Sequence, residues 1–117
     1  MVDRRPKLLL DAIDAIDLAV SFLGDASLAQ YTASPLMRAG VERQLEILGE
    51  ACVRLAKLEI TLFDRVAACR SAIGLRNRII HGYDALDDGL IRETVLTALP
   101  PLRVALHAWL KEMDPQA

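Results

Sequence analysis

Arg76-Asn77-Arg78-Ile79-Ile80-His81-Gly82-Tyr83 is the stretch from which the rest of the chain is read. It gathers two arginines, one of the two histidines and one of the two tyrosines into eight residues. Upstream, Leu62, Val66, Cys69 and Ile73 step by four, three and four, the apolar row of a packed helix. The next two places on that row are Arg76 and Ile80, so a guanidinium takes a core-type position. A charge there is costly unless something pairs with it. Arg76 is therefore either neutralised by a carboxylate or faces a wet interface or cleft.

Composition bounds what surrounds this motif. The 117 residues suit one domain, 1–117, with a single core. Hydrophobic residues make up 53% and charged residues 26%, the balance of a folded soluble chain, while aromatics at 4% point to an aliphatic, helical core. A net charge of -2 argues against broad, indiscriminate nucleic-acid binding but leaves room for a local basic patch. Cys52 and Cys69 fall on apolar helix positions and read as reduced core thiols of a cytoplasmic protein; no CxxC pair or His–Cys cluster accompanies them. No signal peptide is expected, and the apolar run from Leu8 to Leu23 is broken by Asp11, Asp14 and Asp17, so it is not a membrane span.

Helical periodicity recurs along the chain. Leu9, Ile13, Ile16, Val20 and Leu23 form a stripe on a first helix expected over Asp3–Leu23, with Asp3 as cap and Gly24 as stop. Asp11, Asp14 and Asp17 lie on another side, read as a solvated acidic face rather than a metal row. Gly24 to Ser34 reads as a polar connection. Ser34-Pro35 starts a second helix running to about Lys57, with the row Val41, Leu45, Leu48, Cys52 and Leu55. Gly49 in mid-helix is unfavourable by about 1 kcal/mol relative to Ala, so close approach of another backbone is expected there. Glu46 and Glu50 share a face; they are either surface charge, or Glu50 meets an arginine such as Arg76. Thr61-Leu62-Phe63-Asp64 resembles a capping box opening a third helix that continues into the motif and stops at Gly82. That helix would carry Arg65, Arg70, Arg76 and Arg78, with Arg65 and Arg76 nearly eclipsed. Asp87 caps a fourth helix to about Leu99, Pro100-Pro101 kink or break it, and Leu102, Leu106, Trp109 and Leu110 point inward from the last segment. His107 reads as structural or solvent-edge. The fold expected is an all-α antiparallel bundle of four to five helices, the last broken at Pro100-Pro101.

At about 100° per residue, Arg76 and His81 lie about 140° apart, so one straight helix does not easily aim both at one atom. Two copies crossing at a two-fold axis could, which hints at a site shared across a homodimer. An arginine, a histidine and a polar asparagine at a helix end are either no more than a salt-bridged terminus or a set suited to phosphodiester cleavage: imidazole as acid or base, guanidinium on the phosphate oxygens, Asn77 orienting the ring. In RNA the 2′-OH is a built-in nucleophile, so no metal-activated water is required.

Arg76 to Tyr83 matches the R-x4-H-x-Y signature of HEPN-domain proteins of the HepT type, the toxin half of MNT/HEPN (type VII) toxin–antitoxin pairs. The stretch Val41-Glu42-Arg43-Gln44-Leu45-Glu46-Ile47-Leu48-Gly49-Glu50-Ala51 also resembles that family's Gly-Glu-Ala region, and the likeness spans roughly Leu8 to Leu110. The family's aromatic ahead of the motif has no tryptophan counterpart here; Phe63 stands nearest. The resemblance implies a HEPN-like bundle, a homodimer with the motif helices at its interface, and a metal-independent endoribonuclease without a cofactor. It implies catalytic roles for Arg76 and His81, with Asn77 supporting; Glu50 is a supporting candidate on the reading that pairs it with Arg76. Arg65, Arg70 and Arg78 are the candidate RNA contacts. Tyr83 corresponds to a tyrosine that a partner nucleotidyltransferase antitoxin modifies with AMP, silencing the toxin. The competing reading is a non-catalytic partner or substrate subunit of that nucleotidyltransferase.

Overall fold

Ser34 accepts a hydrogen bond from the Met37 backbone N–H at 3.1 Å, and Pro35 takes the first helical position, where its missing N–H costs nothing. The longest helix starts there. In the computed structural model, which describes residues 2–82 and 86–117, the elements run α1 (Arg5–Leu23), α2 (Leu28–Ala33), α3 (Pro35–Leu58), α4 (Leu62–Arg65), α5 (Ala68–Ile80) and α6 (Asp88–Glu93). A π-helical turn (Thr94–Ala98) then leads into α7 (Leu99–Met113). Among the described residues there is no strand, and the fold is an all-α bundle.

Neighbouring long helices are antiparallel, as named contacts show. Arg5 at the start of α1 pairs with Glu59 just past the end of α3, and Phe22 at the end of α1 packs by Gly40 near the start of α3. Gly49 of α3 meets Ala72 and Arg76 of α5. Asp17 of α1 pairs with Arg103 of α7 at 2.6 Å. The expected row on α3 is buried throughout: Val41, Leu45, Leu48, Cys52 and Leu55. Leu102, Leu106, Trp109 and Leu110 close the core from α7. Cys52 and Cys69 are buried free thiols whose sulfurs interact, and that contact together with burial pushes the Cys52 thiol up.

Several expectations are corrected. Asp3 does not cap α1; Arg4 takes that position, while Asp3 accepts from the Arg5 backbone N–H and pairs with its guanidinium. Val20 is exposed, because α1 is covered by both α3 and α7 and its buried arc is centred on Leu8, Ala12, Ala15 and Ala19 as well as Leu9, Ile13 and Ile16. The connection from Gly24 to Ser34 holds a helix, α2. Ser27 and Gln30 close a reciprocal capping box on it, and the wholly buried Tyr31 anchors it.

The third helix is not continuous. Val66, at φ -136° and ψ 85°, ends α4, and α5 starts afresh at Ala68. Leu62, Val66 and Cys69 are all buried, but across a bend rather than along one helix. Thr61 makes no capping bond; its hydroxyl donates to Glu59 at 2.9 Å. At the other end the chain stays helical through Pro100-Pro101. The irregularity falls ahead of the prolines, in the π turn at Thr94–Ala98, and the pair sits in the first turn of α7. A wider turn there keeps the proline rings clear of the carbonyls one turn back. Thr94 and Thr97 hydroxyls each donate at 2.8 Å to the carbonyls of Leu90 and Glu93.

Candidate functional site

The site is built where α5 crosses α3. A Cβ placed on Gly49 would lie 2.8 Å from Arg76 Cγ and 2.9 Å from the Ala72 carbonyl oxygen, and closer still to Arg76 Cβ. Real Cβ atoms do not come that close, so only glycine admits α5 at this separation. The crossing sets Arg76 beside the next residue of α3. Arg76 Nη2 donates to Glu50 Oε2 at 2.7 Å, and Arg76 Nη1 donates to Asn77 Oδ1 at 2.9 Å. The Arg76 side chain keeps 24% of its surface accessible. Both alternatives for this guanidinium hold at once: a carboxylate neutralises it, and it opens onto a wet groove.

That groove, about 550 Å³, runs between α1 and α3 with the end of α5 over it. Its walls include Asp14 and Leu18 of α1, Arg43, Gln44, Ile47, Glu50 and Arg54 of α3, and Arg76 and Ile80 of α5. Arg54 Nε reaches the second oxygen of Glu50 at 3.4 Å, so one carboxylate sits between two guanidiniums. Such a cluster has net positive charge and spare N–H groups, the makings of an anion site.

His81 caps α5. It keeps helical dihedrals (φ -80°, ψ -1°), its backbone N–H donates to the Asn77 carbonyl at 3.0 Å, and its side chain is exposed. Gly82 then turns the chain at φ 58°, the left-handed conformation that suits glycine. Because α5 stays regular to its end, Arg76 and His81 remain about 140° apart around its axis. The Asn77 oxygen is engaged by Arg76.

The three arginines expected to contact RNA lie elsewhere. Arg65 is on α4, paired with Glu112 and lying over the Trp109 ring at 4.8 Å, so it does not share a helix face with Arg76. Arg70 lies 4.4 Å over the Phe63 ring. Arg78 lines a second, more apolar groove with Leu45, Ser71, Leu90 and Leu102. Tyr83, the expected AMP acceptor, lies outside the described residues. Arg43 and Arg54 were not singled out from sequence. Their signal was available: both lie on the Glu50 side of α3, at seven residues before it and four after.

Among the described residues no three His, Cys, Asp or Glu side chains are grouped to hold a metal ion, and no helix is long and apolar enough to cross a membrane. Residues 12–108 match the family model described as "Ribonuclease HepT-like". The chain belongs to this HepT-like ribonuclease family. It is also similar to a Methanocaldococcus jannaschii protein named "Putative RNase MJ0125", 22% identical over 106 residues that cover 91% of this chain and 90% of that one. No solved structure matches the chain.

Proposed function

We propose that the protein is a metal-independent endoribonuclease, the toxin of an MNT/HEPN toxin–antitoxin pair, acting as a homodimer. One observation carries the reading: the Arg76 guanidinium is held by Glu50 and Asn77 at the edge of an open groove, five residues before an exposed His81. In the homodimer, Arg76 of one subunit and His81 of the other meet on one phosphate. The RNA 2′-oxygen attacks phosphorus as the imidazole takes its proton. The bond from phosphorus to the 5′-oxygen breaks, and that oxygen leaves with a proton from an imidazolium or water. The products are a 2′,3′-cyclic phosphate and a 5′-hydroxyl end. Arg76 stabilises charge on the non-bridging oxygens, and Glu50 fixes its direction. Glu50 also lowers the net charge of the cluster, so its contribution is aim rather than attraction.

Control of the activity falls to a partner nucleotidyltransferase. The Tyr83 phenol oxygen attacks the α-phosphorus of ATP, pyrophosphate leaves, and AMP remains on the tyrosine. Tyr83 is two residues from His81, so the adduct would bring bulk and negative charge to where RNA phosphate binds.

The test is incubation of the purified protein with total RNA in EDTA, beside Arg76→Ala and His81→Ala. Cleavage by the wild type alone supports the reading; wild-type rates in either variant overturn the role given to that residue.

A further inference from the structure

The groove beside Arg76 is not a track for a phosphate backbone. Four carboxylates line it, Asp11, Asp14, Glu46 and Glu50, against three guanidiniums, Arg43, Arg54 and Arg76. Three of the four are held by cations: Asp11 by Lys7, Glu46 by Arg43 at 3.1 Å, and Glu50 by Arg76 and Arg54. Asp14 makes no ion pair among the described residues and feels Arg103 only as a charge at longer range. Opposite it on α3, the Gln44 amide makes no hydrogen bond to a described residue. The groove therefore has one carboxylate and one amide with hydrogen-bonding capacity to spare.

Between them lies aliphatic surface. Leu18 is 44% and Ile80 43% exposed, and both line the groove with Ala15 and Ile47. A flat apolar body with polar edges fits such a lining, and the volume of 550 Å³ lies within the range of small-ligand sites. A nucleobase has that form. Exposed guanidiniums such as Arg43 and Arg54 can stack on its face in place of aromatic side chains, which this groove lacks.

We propose that this groove is a nucleobase subsite that accepts the base next to the scissile phosphate and prefers one carrying an exocyclic amine. Asp14 accepts from the amine and Gln44 pairs with the neighbouring edge. Adenine, cytosine and guanine offer that amine; uracil does not. The inference rests on the ribonuclease reading for its place beside a phosphate held by Arg76.

Two measurements test it together. The wild type, Asp14→Ala and Gln44→Ala are assayed on short RNAs that differ only in the base beside one cleavable linkage. Separately, 5′-AMP, 5′-CMP and 5′-UMP are titrated into the His81→Ala protein and followed by NMR. The expected result is cleavage about tenfold faster beside an amine-bearing base than beside uridine, with Asp14→Ala lowering the former to the uridine rate. AMP and CMP should shift the Asp14, Gln44 and Ile47 signals at lower concentration than UMP. Equal rates at all four bases, or an unchanged preference in both variants, overturn the subsite. If no RNA is cleaved but binding still selects AMP and CMP, the subsite stands and the ribonuclease reading falls. If neither cleavage nor selective binding occurs, both fall.

Discussion

Adding one methyl group at Gly49 separates two opposed effects. On an ordinary helix, Gly→Ala is stabilising by about 1 kcal/mol through restricted unfolded-state freedom and better helix propensity. Here the new Cβ would meet Arg76 Cγ at 2.8 Å and the Ala72 carbonyl oxygen at 2.9 Å. The Arg76 stem can shift, but the carbonyl belongs to the α5 backbone and moves only if the helix moves. Overpacking of this kind costs roughly 1–3 kcal/mol. With Arg76 Cβ closer still, the steric term lies toward the upper end of that range, about 2–3 kcal/mol, and exceeds the propensity term, leaving Gly49→Ala less stable by about 1–2 kcal/mol. For a chain of this length that is a fall in Tm of roughly 4–8 °C. Gly74 is the control: it lies on the same α5, with nothing within 4 Å of a built Cβ. Gly74→Ala should raise Tm by about 4 °C. Differential scanning calorimetry of the three proteins reads both signs. Displaced α5 also carries Arg76 away from Glu50, so RNA cleavage by Gly49→Ala should drop by about tenfold or more. A Gly49→Ala protein that melts as high as Gly74→Ala would refute the crossing as described.

Other outcomes follow from the same geometry. On the proposed composite site of a homodimer, mixing Arg76→Ala and His81→Ala subunits should recover about a quarter of wild-type cleavage, since half the dimers would be mixed and each would carry one intact site; no recovery means both residues act within one subunit. Glu50→Gln should lower kcat about tenfold with little change in KM, since it loosens the aim of Arg76 rather than removing it; an unchanged kcat in steady-state cleavage would show that Glu50 is only a surface charge. Burial, with Asp88 nearby and only partly offset by Arg38, holds the Glu42 carboxyl above its ordinary range. Its protonated form is favoured in the fold, so this contribution to stability is full below the unfolded carboxylate pKa and is lost as pH rises through the folded one. Glu42→Gln should thus melt above the wild type at pH 7, with the gap closing toward pH 4 in thermal scans. Cys52 and Cys69 should resist a thiol reagent in the native protein and both react on unfolding; rapid native labelling would contradict their burial.

How much of this was legible in the sequence depends on whether a local signal had a rival. Ser34-Pro35, Asp87 and Gly82 bound helices as their chemistry suggests, and Gly49 did mark a close backbone approach. The Glu50–Arg76 pair was one of two open readings, and the crossing at Gly49 makes it. The bend at Val66 was hidden because Leu62, Val66 and Cys69 keep helical spacing while each packs inward from a different segment. No Gly or Pro marks it. Arg65 was misplaced for the same reason. The capping box Ser27–Gln30 was readable but drowned in a short polar stretch too brief for periodicity to show. Asp14 looked like one of three equivalent surface acids. Only the structure shows that its neighbours Asp11 and Asp17 are claimed by Lys7 and Arg103.

The π turn at Thr94–Ala98 amounts to a surplus residue in the last helix. Ile91, Val95, Leu99, Leu102, Leu106 and Trp109 still all reach the core, because the wider turn takes up the extra phase. Excising exposed Leu96 would close that turn to ordinary α geometry and set the Pro100-Pro101 rings against the carbonyls one turn back. The surplus residue and the proline pair therefore belong together: this part of the chain should accept a one-residue deletion only when the prolines are replaced as well.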